Sequence, residues 1–245
     1  MIGLAGLCLL LFGLDATVGL DLAGWVVGIA CGAILSTVLG WGLDHLGVDG
    51  LGPADRVTLT RATLVCGVAA LTTDSFGGPA PVTTLVALTV VALALDWVDG
   101  QVARRTGTES VLGARFDMEV DAFLILVLSV YVARSAGAWV LAIGAARYAL
   151  LVSGWLFPWL RRTVPPRYWR KVVAAVQGVV LACVAADVLP PFREDIALAG
   201  ALVLLTESFA RDVVWLWHRR YVEQRGLVTP ERDPLATSSA PGVAR

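Results

Sequence analysis

Apolar residues come in long runs along this chain, and the polar ones gather between them. Leu22 to Leu43 and Ser75 to Leu95 contain no Asp, Glu, Lys or Arg. A helix needs about 20 mostly apolar residues to span the hydrocarbon of a bilayer, so these two runs predict membrane helices. Further runs are shorter or carry a charge: Met1 to Leu20 with Asp15, Val57 to Thr73 with Arg61, and Ala122 to Ala133. Later come Ala138 to Leu160 with Arg147, Val172 to Leu189 with Asp187, and Ile196 to Trp217 with Glu207, Arg211 and Asp212. The pattern predicts about eight helices and no sheet. The first run lacks the positive flank and cleavage site of a signal peptide and reads as an uncleaved span.

Composition sharpens this picture. Of 245 residues, 57% are hydrophobic and 16% charged, against about 25% charged in an ordinary soluble domain. The mean hydropathy is +0.75 and the isoelectric point is near 6.1. One globular core cannot hide that much apolar surface, and a net charge of −1 excludes an overall basic nucleic-acid binder. An integral membrane protein remains. Cys8, Cys31, Cys66 and Cys183 sit singly within apolar runs and read as small hydrophobes.

Alternating the spans collects most of the Arg and Lys residues on one side, among them Arg104, Arg105, Arg161, Arg162, Arg219 and Arg220, and leaves Arg134 and Arg193 on the other. By the positive-inside rule the first side is cytoplasmic, which puts both termini there. Residues 222–245, with Pro230, Pro234 and Pro241, read as a flexible polar tail. Trp155, Trp159, Trp169, Trp215 and Trp217 would crowd the cytoplasmic ends of the last helices as interfacial anchors.

The chemistry lies in one stretch on that face, D-W-V-D-G-Q-V-A-R-R-T-G-T-E-S-V-L-G-A-R-F-D-M-E-V-D from Asp96 to Asp121. If the helix that begins near Pro79 continues past the membrane edge, Asp96, Asp99, Gly100 and Ala103 share one face. Asp117 and Asp121, spaced i and i+4, share a face of the next helix, and Gly107 would let the two run antiparallel. Four carboxylates can then converge at the cytoplasmic boundary, where ionisable groups are costly unless paired or functional. Oxygen donors alone suit a hard divalent cation such as Mg²⁺. Gly100, Ala103 and Gly113 would allow close approach of backbone or ligand.

With those residues in place, the stretch resembles D-x2-D-G-x2-A-R-x8-G-x3-D-x3-D, the signature of the CDP-alcohol phosphotransferase family, at every fixed position. P-A-D-R-V-T-L-T-R, Pro53 to Arg61, is similar to the family's lead-in P-N-x-x-T-x-x-R, with Asp55 in place of Asn. The resemblance implies an all-α bundle of six transmembrane helices, usually a homodimer, over roughly residues 51–221, with residues 1–50 forming two added helices. It implies two divalent cations, Mg²⁺ or Mn²⁺: Asp96, Asp99 and Asp117 would hold one, and Asp96, Asp117 and Asp121 the other. Asp121 would also be the base that deprotonates the acceptor hydroxyl. Gly100, Arg104 and Ser110, with Ala103 and Gly113 beside them, would meet the CDP of the donor, and Asp55 and Thr58 would close over the nucleotide. The implied activity is transfer of a phosphatidyl group from CDP-diacylglycerol or a similar CDP-alcohol to an acceptor, with release of CMP, at a bacterial plasma membrane.

For the acceptor, Arg147 lies inside an apolar run, which marks it as either a substrate contact or half of an internal ion pair, with Glu207 as one partner. Arg167, Arg170 and Lys171 either bind an acceptor phosphate or anchor the cytoplasmic face. A polyol phosphate such as glycerol 3-phosphate or inositol phosphate would fit; so would a lipid acceptor. Glu207 and Arg211, at i and i+4, can pair with each other. From a different class, a divalent-metal transporter would also gather acids in a helical bundle, but it calls for polar positions beyond the cluster, and Ala122 to Ala133 offers only Ser129 and Tyr131.

Overall fold

The computed structural model describes residues 2–46, 53–79, 81–106, 111–157, 159 and 168–224. Among them there are eight α-helices and no strand: α1 (Ile2–Val18), α2 (Leu22–Leu46), α3 (Pro53–Asp74), α4 (Val82–Thr106), α5 (Val111–Ala136), α6 (Leu141–Leu156), α7 (Tyr168–Ala185) and α8 (Pro191–Gln224). Leu22–Trp41 in α2 and Ala138–Leu156, which is α6 with the 3-10 turn before it, are long and apolar enough to cross a membrane. Gly3–Val18 and Val82–Val98 are shorter apolar helices.

Helix ends depart from the apolar runs where local chemistry intervenes. α4 starts at Val82 rather than near Pro79 or at Ser75, because Ser75 to Gly77 are taken up by turns, with Phe76 N–H on Thr73 O and Gly77 N–H on Asp74 O. Gly78 and Pro79 follow, residues that do not sit inside a helix without cost. α7 stops at Ala185, short of Leu189. Asp187 takes the left-handed conformation with φ 53°, and Val188 N–H returns to Cys183 O while Asp187 N–H bonds Val184 O. That is a Schellman end with Asp where Gly is usual. α8 runs on to Gln224, so residues 222–224, predicted as the start of a polar tail, are helical; residues 225–245 lie outside the described residues.

α3 is the axis of the bundle, packed against α1, α2, α4 and α5, while α5 also meets α6 and α7, and α7 meets α8. Val65, Cys66, Val68, Ala69, Ala70 and Leu71 of α3 are all buried, as expected of a helix surrounded on most sides. Small residues let its neighbours approach. A Cβ on Gly24 would stand 3.2 Å from Ala70 O, one on Gly28 would meet Leu11 at 2.9 Å, and one on Gly144 of α6 would lie 2.7 Å from the Cα of Leu126 in α5. Gly6 and Gly13 have open space around them. The cysteines are free thiols.

Candidate metal centre

Three buried stripes carry the functional side chains to one end of the bundle. On α3 the stripe is Thr58, Arg61, Val65, Val68 and Thr72; on α4 it is Leu85, Thr89 and Ala92, all buried, and one turn later Asp96. On α5, Asp117 and Asp121 continue into buried Leu124 and Leu128. Each spacing alternates three and four residues, which keeps a set on one helical face. Asp96, Asp117 and Asp121 therefore face inward because they stand in register with the core.

Asp96, Asp117 and Asp121 each bring a carboxylate oxygen within 4.8 Å of the other two. Between them lies Arg61, only 1% exposed. Its Nη1 is 2.6 Å from Asp96 Oδ1, and its Nη2 is 3.2 Å from Asp121 Oδ1 and is also paired with Asp117 Oδ1. Nη2 further donates to the backbone oxygen of Asp117 at 3.3 Å. Three carboxylates thus face one guanidinium, and the cluster carries a surplus of negative charge.

That surplus and the partial burial govern protonation. Asp121 stands just ahead of the apolar run Ala122 to Ala133. Burial, with Asp96 and Asp117 beside it, pushes its carboxyl up to about 7 against the opposing pull of Arg61 and Arg147. Asp96, one residue past the run that ends at Leu95, is raised mainly by burial, while Arg61 and then Lys171 work in the other direction. A cation held among these groups would favour the charged forms. The donor set, all carboxylate oxygens, half-buried and under-compensated, fits a hard divalent ion.

The remaining expected site residues fall as follows. Asp99, Gly100, Ala103 and Arg104 lie on α4 beyond Asp96, Asp55 is in the first turn of α3, and Gly113 is near the start of α5; for Asp55, Asp99, Ala103 and Arg104 the side chains are outside the described residues, as are Gly107, Ser110 and Arg167 altogether. Thr58 is buried one turn before Arg61. Arg147 is ion-paired, but with Glu119 rather than Glu207. Glu207 instead pairs with Arg211 in its own helix and accepts from Trp169 Nε1 at 3.3 Å. Arg170 Nε stands 3.4 Å from Asp212 Oδ2, and Lys171 is exposed.

Two participants were not assigned from the sequence. Arg61 was visible only as a charge interrupting an apolar run and as the last residue of the lead-in motif. Glu119 sits between two motif acids, at i+2 from one and i−2 from the other, on a different face of α5. A mismatch between four acids and no assigned internal counter-charge was the available signal for Arg61.

A helical bundle with three inward-facing acids around a buried arginine at one end is an arrangement that could hold a metal ion there. A family model for CDP-alcohol phosphatidyltransferases matches residues 52–209, more than half of the chain. The chain belongs to the CDP-alcohol phosphatidyltransferase family. Family members are membrane-associated transferases of phospholipid synthesis that take a CDP-alcohol donor and an alcohol acceptor and generally use divalent metals. No curated protein and no solved structure matches the chain. The family match begins at α3 and leaves α1 and α2 outside it.

Proposed function

We propose that this chain is an integral membrane enzyme that moves a phosphatidyl group from CDP-diacylglycerol to the hydroxyl of a small phosphorylated polyol and releases CMP. The observation that carries the reading is the meeting of Asp96, Asp117 and Asp121, which come from two helices and belong to one motif, with oxygens within 4.8 Å of one another. Asp96, Asp99 and Asp117 would hold one divalent ion and Asp96, Asp117 and Asp121 a second; bound there, such a pair neutralises the pyrophosphate and aligns attacking and leaving oxygens. Asp121 takes the proton of the acceptor hydroxyl. The acceptor oxygen bonds to the lipid-side phosphorus, the bond from that phosphorus to the oxygen bridging to the CMP phosphate breaks, and CMP leaves with the electron pair. Gly100, Ala103, Arg104, Ser110 and Gly113, with Asp55 and Thr58, form the donor's binding surface.

Support for the membrane comes from the outer surface. Leu9, Phe12, Leu22, Ile34, Trp155, Phe192, Val203 and Val214 are each more than 60% exposed. So many exposed large apolar side chains are a liability in water and suit contact with lipid tails. Near one end, Trp159 and Trp217 meet edge to face at 5.9 Å and Arg219 stacks on Trp215 at 4.8 Å, as in an aromatic and cationic belt. The site then opens at the cytoplasmic face, with both termini on that side. The domain reading is residues 1–50 as two added helices, 51–221 as the catalytic bundle and 222–245 as the tail, whose first three residues still belong to α8, and the working unit is a homodimer.

For the acceptor, Lys171 is the best-placed group: it is exposed and near enough to Asp96 to act on its carboxyl. Arg147 and Arg170 reach the same end but each has an acid beside it. What speaks against a metal-transport reading is the apolar interior of α5 beyond Asp121, where Leu124, Leu128 and Val132 are buried and the Ser129 hydroxyl is spent on Ile125 O.

The test is an assay of purified protein in detergent with CDP-diacylglycerol, Mg²⁺ or Mn²⁺, and a panel of acceptors that includes glycerol 3-phosphate, inositol phosphate, serine and phosphatidylglycerol. CMP release with a phosphorylated polyol is expected. Release only with phosphatidylglycerol would move the reading to a lipid acceptor, and no release with any acceptor would reject it.

A further inference from the structure

Arg61 stands on an element remote in sequence from the acids it meets, 35 residues from Asp96 and 56 from Asp117. Among the described residues it is the largest of the fully buried side chains. An arginine in that position can be either of two things. It can occupy the space and charge of a cation, so that a metal must displace it. Or it can be a fixed part of the site, holding the ligands where a metal needs them.

We infer that Arg61 is a positioning residue that pre-assembles the metal ligands: it binds Oδ1 of each of Asp96, Asp117 and Asp121, holds the three acids together, and leaves the second oxygen of each to a divalent cation. The inference rests on the metal-dependent reading above. Three observations support it. First, all three ion pairs of Arg61 use Oδ1 of the acid, and a carboxylate has a second oxygen of equal donor strength. Second, the guanidinium is a rigid planar fork, and here both of its terminal nitrogens are spent on the cluster, Nη2 also on the backbone of Asp117. That ties the carboxylates to the α5 main chain as well as to one another. Third, Arg61 is held deep in the bundle. It is 1% exposed and stands between buried Thr58 and buried Val65 on the stripe of α3, so withdrawal toward Val65 would carry a charge into packed apolar core, at high cost.

Without Arg61, three carboxylates so close together would either separate or take up protons. Both outcomes weaken metal binding. The two roles therefore predict opposite signs. Removing a displaced competitor strengthens cation binding, because a positive charge is lost from the site; removing a template weakens it, in spite of that loss.

Mn²⁺ binding by the purified full-length protein in detergent, followed through the electron paramagnetic resonance signal of free Mn²⁺, reads this sign directly, with thermal unfolding of the metal-free protein alongside. Arg61→Met, which removes charge and fork, and Arg61→Lys, which keeps the charge but loses the fork, should each raise the Mn²⁺ dissociation constant tenfold or more, and Arg61→Met should also lower the metal-free Tm. Arg134→Met, at the other end of α5 where Arg134 lies 5.1 Å from the Phe76 ring, should leave Mn²⁺ affinity within twofold. Equal or tighter binding in Arg61→Met overturns the inference. If that variant does not fold, Arg61→Lys decides alone, and wild-type affinity in it overturns the inference as well. Equal weakening in Arg134→Met would mean that the loss is global and would also overturn it. A wild-type protein that binds no Mn²⁺ would instead reject the metal-centre reading beneath it.

Discussion

The acid end of α3, α4 and α5 and the basic edge of α6, α7 and α8 share one side of the bundle but manage charge in opposite ways. In the first, three carboxylates converge on one buried arginine. In the second, the pairs are one to one: Arg147 with Glu119, Arg170 with Asp212, Arg211 with Glu207. A one-to-one pair is electrostatically complete and asks for nothing further. A three-to-one cluster is not: Arg147 and Lys171 offset part of its charge through Asp121 and Asp96, and a bound cation or protons would balance the rest. The difference separates the proposed metal site from a surface that holds helices together, and it singles out Lys171, which is exposed and acts on Asp96, from the arginines around it.

The strongest break of the comparison is at Asp121. Asp121→Asn leaves the shape of the cluster but, on the proposed mechanism, removes the proton acceptor and one metal ligand, so CMP release should fall by about 10²- to 10⁴-fold, the usual size of a general-base contribution. Binding of CDP-diacylglycerol, measured by equilibrium titration, should largely survive. Near-normal turnover in this variant would remove Asp121 from the chemistry.

Next in size is the pair between Arg147 and Glu119, whose side chains are 27% and 35% exposed. Exposed pairs contribute about 0–1 kcal/mol and breaking buried ones costs about 3–5 kcal/mol; for this one a loss near the lower range, about 1 kcal/mol, is expected for Glu119→Gln, seen as a Tm a few degrees lower. Arg147→Met should cost a similar amount, and the double variant should cost little more than either single one. If Arg147→Met instead raises KM for the acceptor and leaves Tm alone, Arg147 belongs with the substrate and not with Glu119.

Lys171→Ala tests the other half of the contrast. Losing one point charge on a phosphate should raise KM for a phosphorylated acceptor by about tenfold or less, corresponding to about 1.4 kcal/mol or less, with kcat and the KM for CDP-diacylglycerol unchanged. A serine or other unphosphorylated acceptor should show no such effect.

Much of this arrangement is legible in the sequence, and what escapes has a physical cause. Asp96, Asp117 and Asp121 could be placed because helical spacing is local: i and i+4 fix a shared face before any packing is known. The eight helices follow from apolar runs for the same reason, though their ends do not. Gly77, Gly78 and Pro79 shorten α4, and Asp187 ends α7, through backbone chemistry that hydropathy ignores. Arg61 and Glu119 escaped because their partners lie in other helices. An arginine in an apolar run announces that it has a partner but not which one: for Arg147, Glu207 and Glu119 were equally available until the packing of α6 on α5, close enough to require Gly144, decided for Glu119.

The smallest effect belongs to Glu207 and Arg211, and its smallness is informative. The two are at i and i+4 on α8, and the Arg211 side chain is 64% exposed, so the pair is worth about 0.3–0.5 kcal/mol. Glu207→Gln should shift Tm by no more than about 2 °C and leave Mn²⁺ affinity and CMP release as they are. Glu207 is as much a carboxylate as Asp117, at the same side of the bundle and beside an arginine of its own. If it proves silent while Asp121 does not, acidity and proximity to arginine are not what make the site. The convergence of several acids from two helices on a single buried cation is.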